Sequence, residues 1–401
     1  MDKFPTKDKI ILGFIILNII SGTSGGILQM VIPLYSLSIN ASTAQIGIIK
    51  GVSGLGMLLL VLPSGFLIDY YGSRKLYIVG SVIGAIIIFT FSFIKLPIFL
   101  IIGMGIQGFT NSLRFTSLNA AFFKNLKTIG KKKSGWYKGS MSIGLTFIGP
   151  FIGGYIVQNI SYKWIFVLIG MMILIPSLIL YILSDKSIKS KPENLIQIFK
   201  EQYYDLKLLL RNNIIKQTAL VESISTACFS TFVTFIIVLV VSNYHLKSIY
   251  ASWLIIMEGS AFIITVFLGG HLLYKFKAST LYLESFILVI VGTLIVVFQQ
   301  SITFIALGTI IMGLGLGMTN LITYSRVGEI EGKKGKISGL FAACTGIGAS
   351  LGPTIGGFIG QRFSIKFVFL IYVPLFVLLG FYIIFKDLKM TKKSYEIENC
   401  N

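Results

Sequence analysis

The chain has 401 residues, of which 54% are apolar and only 12% charged, and its mean hydropathy is +0.84. These proportions exclude a soluble globular protein and define an integral membrane protein. The net charge of +20 would suggest nucleic acid as the partner of a soluble domain, but here its placement along the chain gives another reason for it.

Twelve apolar runs are long enough to cross the hydrocarbon of a bilayer, roughly 10–34, 45–68, 76–94, 97–121, 135–158, 164–183, 214–241, 249–270, 280–298, 301–323, 337–359 and 366–385. The first follows a few lysines, exceeds the core of a signal peptide and shows no cleavage site, so it is read as a retained span. Six runs lie on each side of a polar stretch. The division is therefore an N-terminal bundle at 1–183, a linker at 184–213, a C-terminal bundle at 214–386 and a tail at 387–401. Within the linker, Ile196, Phe199, Tyr203, Leu206 and Leu210 recur at helical spacing between charges, which predicts an amphipathic helix on the membrane surface. The fold class expected is an all-α membrane protein of twelve transmembrane helices in two pseudo-symmetric six-helix bundles.

With the termini, the linker and alternate loops on one side, that side holds 28 of the 35 lysines and arginines. The opposite side is assigned Lys50, Lys95, Lys163, Lys247, Arg362 and Lys366, and Arg114 stands alone inside the fourth run. The asymmetry follows the positive-inside rule. It places the protein in the cell membrane with both termini cytoplasmic, and it accounts for the net charge without nucleic acid.

In chain order, the first run offers Asn18, Gly22, Gly25 and Gln29 on one face, able to hydrogen-bond a polar substrate. After the second run comes a compact turn, Gly65-Phe-Leu-Ile-Asp69-Tyr-Tyr-Gly72-Ser-Arg74-Lys75: an acid closing a membrane helix, a glycine able to turn the chain, and two cations. Its second-half counterpart has Leu273 opposite Asp69 and keeps only Lys275 and Lys277. The fourth run carries Gln107, Asn111 and Arg114 along one helical face. A buried ionisable residue is costly and usually faces a water-filled interior.

The fifth run contains Gly149, Pro150, Gly153 and Gly154. The eleventh repeats them 203 residues later as Gly352, Pro353, Gly356 and Gly357, preceded there by Gly348. The repeat extends through Gln158/Gln361 and Lys163/Lys366, so the chain is two related halves. Glycines four apart allow close helix approach in lipid. The acids other than Asp69 in the runs are Glu222, Glu258 and Glu284, all in the second half. Each is a candidate proton carrier, because removal from water disfavours a carboxylate's charged form. Glu222, flanked by Ser223, Ser225 and Thr226, ranks first and Glu258 second.

The turn after the second run resembles the inner-loop signature of the major facilitator superfamily, matched by Gly65, Leu67, Asp69, Gly72 and Arg74, with Lys75 following. Tyr70 and Ser73 replace residues that are usually basic. The Gly-Pro-x-x-Gly-Gly stretch looks like the fifth-helix signature of that superfamily's proton-coupled exporters. The resemblance covers the whole chain and implies alternating access by rocking of two bundles about a central site, with Asp69 gating one closed state. Partners implied are a small-molecule substrate, protons and the lipid bilayer, and the working unit is read as a monomer. In the relatives' pattern an arginine precedes the fourth-helix Gln-Gly by three residues; here that place is Met104.

Cys228, Cys344 and Cys400 lack metal-ligand spacing, and no nucleotide loop or nucleophile elbow is present. No metal, cofactor or enzymatic chemistry is expected. The reading is a proton-coupled exporter of a small polar or amphiphilic metabolite or drug. Asn18, Gln29, Gln107, Asn111 and Arg114 would form the substrate cavity, with Arg114 pairing a carboxylate of an anionic or zwitterionic substrate. A nutrient importer and a non-transporting receptor or scaffold remain open.

Overall fold

The computed structural model describes residues 7–129, 134–183, 212–328 and 334–398; the expected linker helix lies outside them. Among the described residues, twelve helices are long and apolar enough to cross a membrane. The first half comprises α1 (Lys7–Ser38), α2 (Thr43–Tyr71), α3 (Ser73–Thr90), α4 (Pro97–Ile129), α5 and α6 (Tyr162–Leu183). Helix α5 runs through Ser134–Ser142, a π-helical stretch Ile143–Ile148 and Gly149–Asn159.

The second half begins with α7 (Asn213–Val238), which ends in a π-helical turn at Leu239–Asn243. Next come α8 (Ser248–Leu268, continued by the turns Gly269–His271 and Leu272–Lys275), α9 (Ala278–Phe298), α10 (Ile302–Gly328) and α11 (Lys334–Arg362). Helix α12 follows in two segments, Phe367–Leu370 and Tyr372–Glu398.

Helices form because hydrocarbon offers backbone amides no other partner. They also outrun their apolar cores: α4, α10 and α12 continue several residues beyond the runs expected from hydropathy, since an established helix propagates into polar sequence at little cost. Local chemistry sets other ends. Ser42 and Gln45 form a reciprocal capping box at the start of α2, and the Asn212 side chain accepts from the Ile214 and Ile215 amides to start α7. Gly72, between α2 and α3, has φ 85°, a conformation that side-chain-bearing residues resist. The glycine of the signature loop thus makes the sharp turn.

In the first half α1 packs on α5 and α6, and α4 packs on α2 and α3; in the second, α7 packs on α11 and α10 on α8 and α9. Aromatic side chains fill each bundle, as in the Phe122–Tyr137 stack, with centroids 3.9 Å apart, and the Phe286–Phe376 pair at 5.3 Å.

The duplicated glycine motif performs the same two tasks in each half. Gly149 and Gly153 press on Gly26 and Met30 of α1, while Gly352 and Gly356 press on Ala227 and Thr231 of α7. The last glycine of each copy reaches the other half: Gly154 meets Ser252 of α8, and Gly357 meets Gly47 of α2. The copies differ at proline. Upstream of Pro150 the helix widens, and the Gly149 amide bonds to the Gly144 carbonyl five residues back; Pro353 sits within continuous α-helix. Such π-segments concentrate at functional sites.

The halves meet along α2–α11, α5–α8 and α1–α7. Their hydrogen bonds lie at the end away from the linker: Ser248 Oγ donates to the Gly154 carbonyl at 2.8 Å, Gln158 Nε2 to Ser248 Oγ at 3.2 Å, and the Ala44 amide to Gln361 Oε1 at 3.3 Å. At the linker end a Cβ added to Gly139 of α5 or Gly270 after α8 would meet nothing within 4 Å. Among the described residues, these hydrogen bonds join the two bundles at the far end.

Candidate functional site

Between the halves lies a cavity of about 480 Å³, walled by eight of the helices described above. Helix α2 supplies Lys50, Ser53, Gly54 and Met57, one stripe at helical spacing, and α7 supplies Glu222, Ser225, Thr226, Phe229 and Ser230, another. Glu258 and Phe262 come from α8, Gln29 from α1, Asn111 and Phe115 from α4, Thr345 from α11, and Thr146 from the π-helical part of α5. Apolar and aromatic walls with a few polar groups suit an amphiphilic small molecule.

Two acids face this space in different settings. Glu222, 5% exposed, accepts from Thr345 Oγ1 at 3.1 Å. Glu258 is completely buried, and neither carboxyl oxygen has a hydrogen-bond partner among the described residues. An ionised carboxylate there would be an uncompensated buried charge. Lys50, half-buried, lines the same cavity.

The expected polar cluster of the first half divides. Gln29 and Asn111 line the cavity; Asn18, Gln107 and Arg114 do not. Asn18 donates to the Tyr137 carbonyl at 2.7 Å and so ties α1 to α5. Gln107 accepts from Thr110 Oγ1 at 3.3 Å and faces Gly84 of α3. Arg114 is buried between α4 and α3, its Cγ against Gly80 and its guanidinium carbon 5.8 Å from the Tyr77 ring centroid. Its Nη1 donates to Oδ1 of the cavity residue Asn111 at 3.3 Å, while Nε has no partner among the described residues. A two-pronged clamp on a substrate carboxylate is not its arrangement here. Glu284 is exposed on α9, off the face buried by Leu281, Tyr282, Ser285 and Phe286, and does not line the cavity.

Among the wall residues that went unassigned in the sequence are Lys50 and Asn320. Lys50 was grouped with the charges of the far end, yet it sits seven residues inside α2, roughly 10 Å along the helix axis. Asn320 lines the cavity opposite Asn111; the internal match of Gly108-Phe-Thr-Asn111 with Gly317-Met-Thr-Asn320 is the signal that identifies it. In the signature loop, the Arg74 guanidinium stacks 3.3 Å from the Tyr181 ring centroid and Lys75 lies over Tyr71 at 5.4 Å. The side chain of Asp69, like Gly65, lies outside the described residues.

Comparison with known proteins agrees with this architecture. Residues 14–247 and 218–398 match the family model described as Major Facilitator Superfamily. An uncharacterized MFS-type transporter of Methanocaldococcus jannaschii is 21% identical over 359 residues, covering 85% of this chain and 88% of its own. The quinolone resistance protein NorB of Staphylococcus aureus is 26% identical over 215 residues, 52% of this chain and 43% of its own. Among solved structures, a mutant of the nucleoside transporter NupG superposes with a TM-score of 0.78 at 16% identity, covering 94% of this chain and 99% of that one.

Proposed function

The chain belongs to the major facilitator superfamily and is a membrane transporter rather than an enzyme, and from that premise we propose that it exports a small amphiphilic compound in exchange for protons by alternating access. The observation that carries this reading is the cavity between the halves, lined by Glu222 and by Glu258, which is buried without a hydrogen-bond partner among the described residues. A carboxyl that lacks partners in one state and gains water or a partner in the other is suited to take up and release a proton as the bundles rock. Export is favoured by the doubled Gly-Pro-x-x-Gly-Gly motif and by the similarity to NorB. With the basic linker end taken as cytoplasmic in the cell membrane, the hydrogen bonds that join the halves at the far end support a conformation open to the cytoplasm. A single chain contains both bundles and the whole cavity, which supports a monomeric unit.

The reading is tested in inside-out vesicles with an acidic lumen, to which cationic, zwitterionic, anionic and neutral amphiphiles are added in turn. An exporter that exchanges protons alkalinises the lumen as its substrate enters. A symporting importer run backwards acidifies it, and a receptor or scaffold changes nothing.

Lys50 takes over in this reading the part expected of Arg114, as the cation that meets an anionic group on the substrate. Lys50→Gln is expected to weaken binding of anionic or zwitterionic substrates by about tenfold or more, in keeping with roughly 1.5–3 kcal/mol for a hydrogen bond to a charged group. Neutral substrates should lose little. Calorimetry on the purified protein checks this, and an equal loss for neutral and anionic compounds contradicts it.

Asp69 is proposed to favour one closed state through the signature loop. Asp69→Asn is then expected to lower transport severalfold with substrate affinity nearly unchanged, because the conformational equilibrium moves and no substrate contact is removed. Reporter cysteines on the two faces should change in accessibility; identical labelling in variant and parent contradicts the gating role.

A further inference from the structure

A second pocket lies at the linker end of the C-terminal half, away from the cavity between the halves. It has a volume of about 240 Å³ and is lined by Gln217 of α7, Lys277, Ala278 and Ser279 at the start of α9, Arg326 of α10, and Ile383 and Lys386 of α12. Among the seven described lining residues three are cations and none is an acid. The groups that hold the cations are neutral: Arg326 Nη1 donates to Gln217 Oε1 at 2.9 Å, and Lys386 Nζ donates to the Asn213 carbonyl at 2.9 Å and to the Tyr382 hydroxyl at 3.3 Å. These contacts orient the charges without cancelling them.

The pseudo-symmetry accentuates the imbalance. In the first half the corresponding turn carries Asp69 with its cations; in the second, Leu273 replaces the acid and Lys277 remains. The pocket also receives the N-terminus of α9, a 21-residue helix with no acid in its first turn, so the positive end of the helix dipole lies at the pocket. Cations from three helices converge on this cavity, and the described groups that anchor them are neutral.

We propose that this pocket binds a phosphate-bearing anion at the cytoplasmic surface. The guanidinium of Arg326 is the planar, multiply donating group that suits phosphate oxygens, and the two lysines supply charge on either side. Two sources present this chemistry at that depth: the headgroup of an anionic phospholipid, and free inorganic phosphate. Basic pockets between transmembrane helices at this level are suited to the first. Occupancy would link α7, α9, α10 and α12 at the linker end of the C-terminal half, and so brace that half through residues that do not line the transport cavity.

The test uses the full-length protein in nanodiscs of phosphatidylcholine alone or with phosphatidylglycerol, and titrates inorganic phosphate into the first. Thermal stability and retained lipid, identified by mass spectrometry, are the readouts. Wild type should be stabilised by phosphatidylglycerol, by phosphate, or by both; protection by phosphatidylglycerol alone identifies the lipid as the source, and protection by phosphate in phosphatidylcholine identifies the soluble ion. The double variant Lys277→Gln/Lys386→Gln should bind the effective anion at least tenfold more weakly, in keeping with the loss of two cations facing an anionic surface. Lys277→Arg/Lys386→Arg should retain it, which separates lost charge from lost folding. A control, Lys392→Gln/Lys393→Gln, removes the same charge from the tail. Equal weakening by the control, or no stabilisation of wild type by either anion, overturns the proposal.

Discussion

Glu258→Gln is expected to abolish accumulation of substrate against its gradient, by at least about tenfold, while exchange between equal substrate pools on the two sides continues. An amide keeps the volume and polarity of the side chain but cannot exchange a proton, so the variant isolates coupling from binding. The expectation rests on the contrast within the cavity: Glu258 is fully buried with both oxygens unpartnered, whereas Glu222 is held by Thr345. A buried charge without a partner costs several kcal/mol, so the cycle of Glu258 between neutral and ionised is tied to whether the surrounding helices admit water. Undiminished uphill transport by folded Glu258→Gln moves the coupling role to Glu222. Loss of equal-pool exchange as well indicates a substrate-binding residue instead.

Gly357→Val should trap the transporter with its far end parted. A Cβ at Gly357 would stand 2.9 Å from the Gly47 Cα and 2.8 Å from the Thr43 carbonyl oxygen, and both are backbone atoms that can yield only if the helices separate. Overpacking of this kind costs about 1–3 kcal/mol, and a bias of that size shifts a two-state ratio about 5- to 150-fold. The cost falls only on the conformation in which α2 and α11 touch, so the opposite conformation accumulates. Reporter cysteines facing the cavity from the far end should become accessible, and transport should fall by a comparable factor. Gly139→Ala is the control, because a Cβ there meets nothing within 4 Å. Normal transport and labelling in Gly357→Val would show that this contact is not remade during the cycle.

The helices were legible because a bilayer leaves a spanning chain few choices: length and hydropathy alone place twelve spans. The repeat was equally legible, and the structure gives it a physical reason, since equivalent glycines press on the first helix of their own half and the second helix of the other. Which copy of the motif would be widened into a π-helix was not, because both contain the same Gly-Pro pair, yet only the first is π-helical upstream of its proline. The cavity was legible in part. Spacing puts Gln107, Asn111 and Arg114 on one stripe of α4, but the stripe that faces the cavity is turned by about one residue, running through Gly108, Asn111 and Phe115. Asn111 belongs to both, while its two neighbours turn toward Gly84 and Gly80 of α3. Periodicity groups residues on a face but carries no information about what the face meets. For the same reason Lys50 read as a charge at the membrane surface until the position of α2 placed it on the cavity wall.

The measurement that tests the central claim most directly is substrate accumulation in proteoliposomes that hold the protein with its linker end outward, under an imposed pH gradient and with no other energy source. The account predicts that an acidic lumen drives substrate inward against its own gradient, that an ionophore collapsing the pH difference releases it, and that Glu258→Gln liposomes only equilibrate. Accumulation that ignores the pH gradient, or that requires an alkaline lumen, would contradict proton-exchanging export.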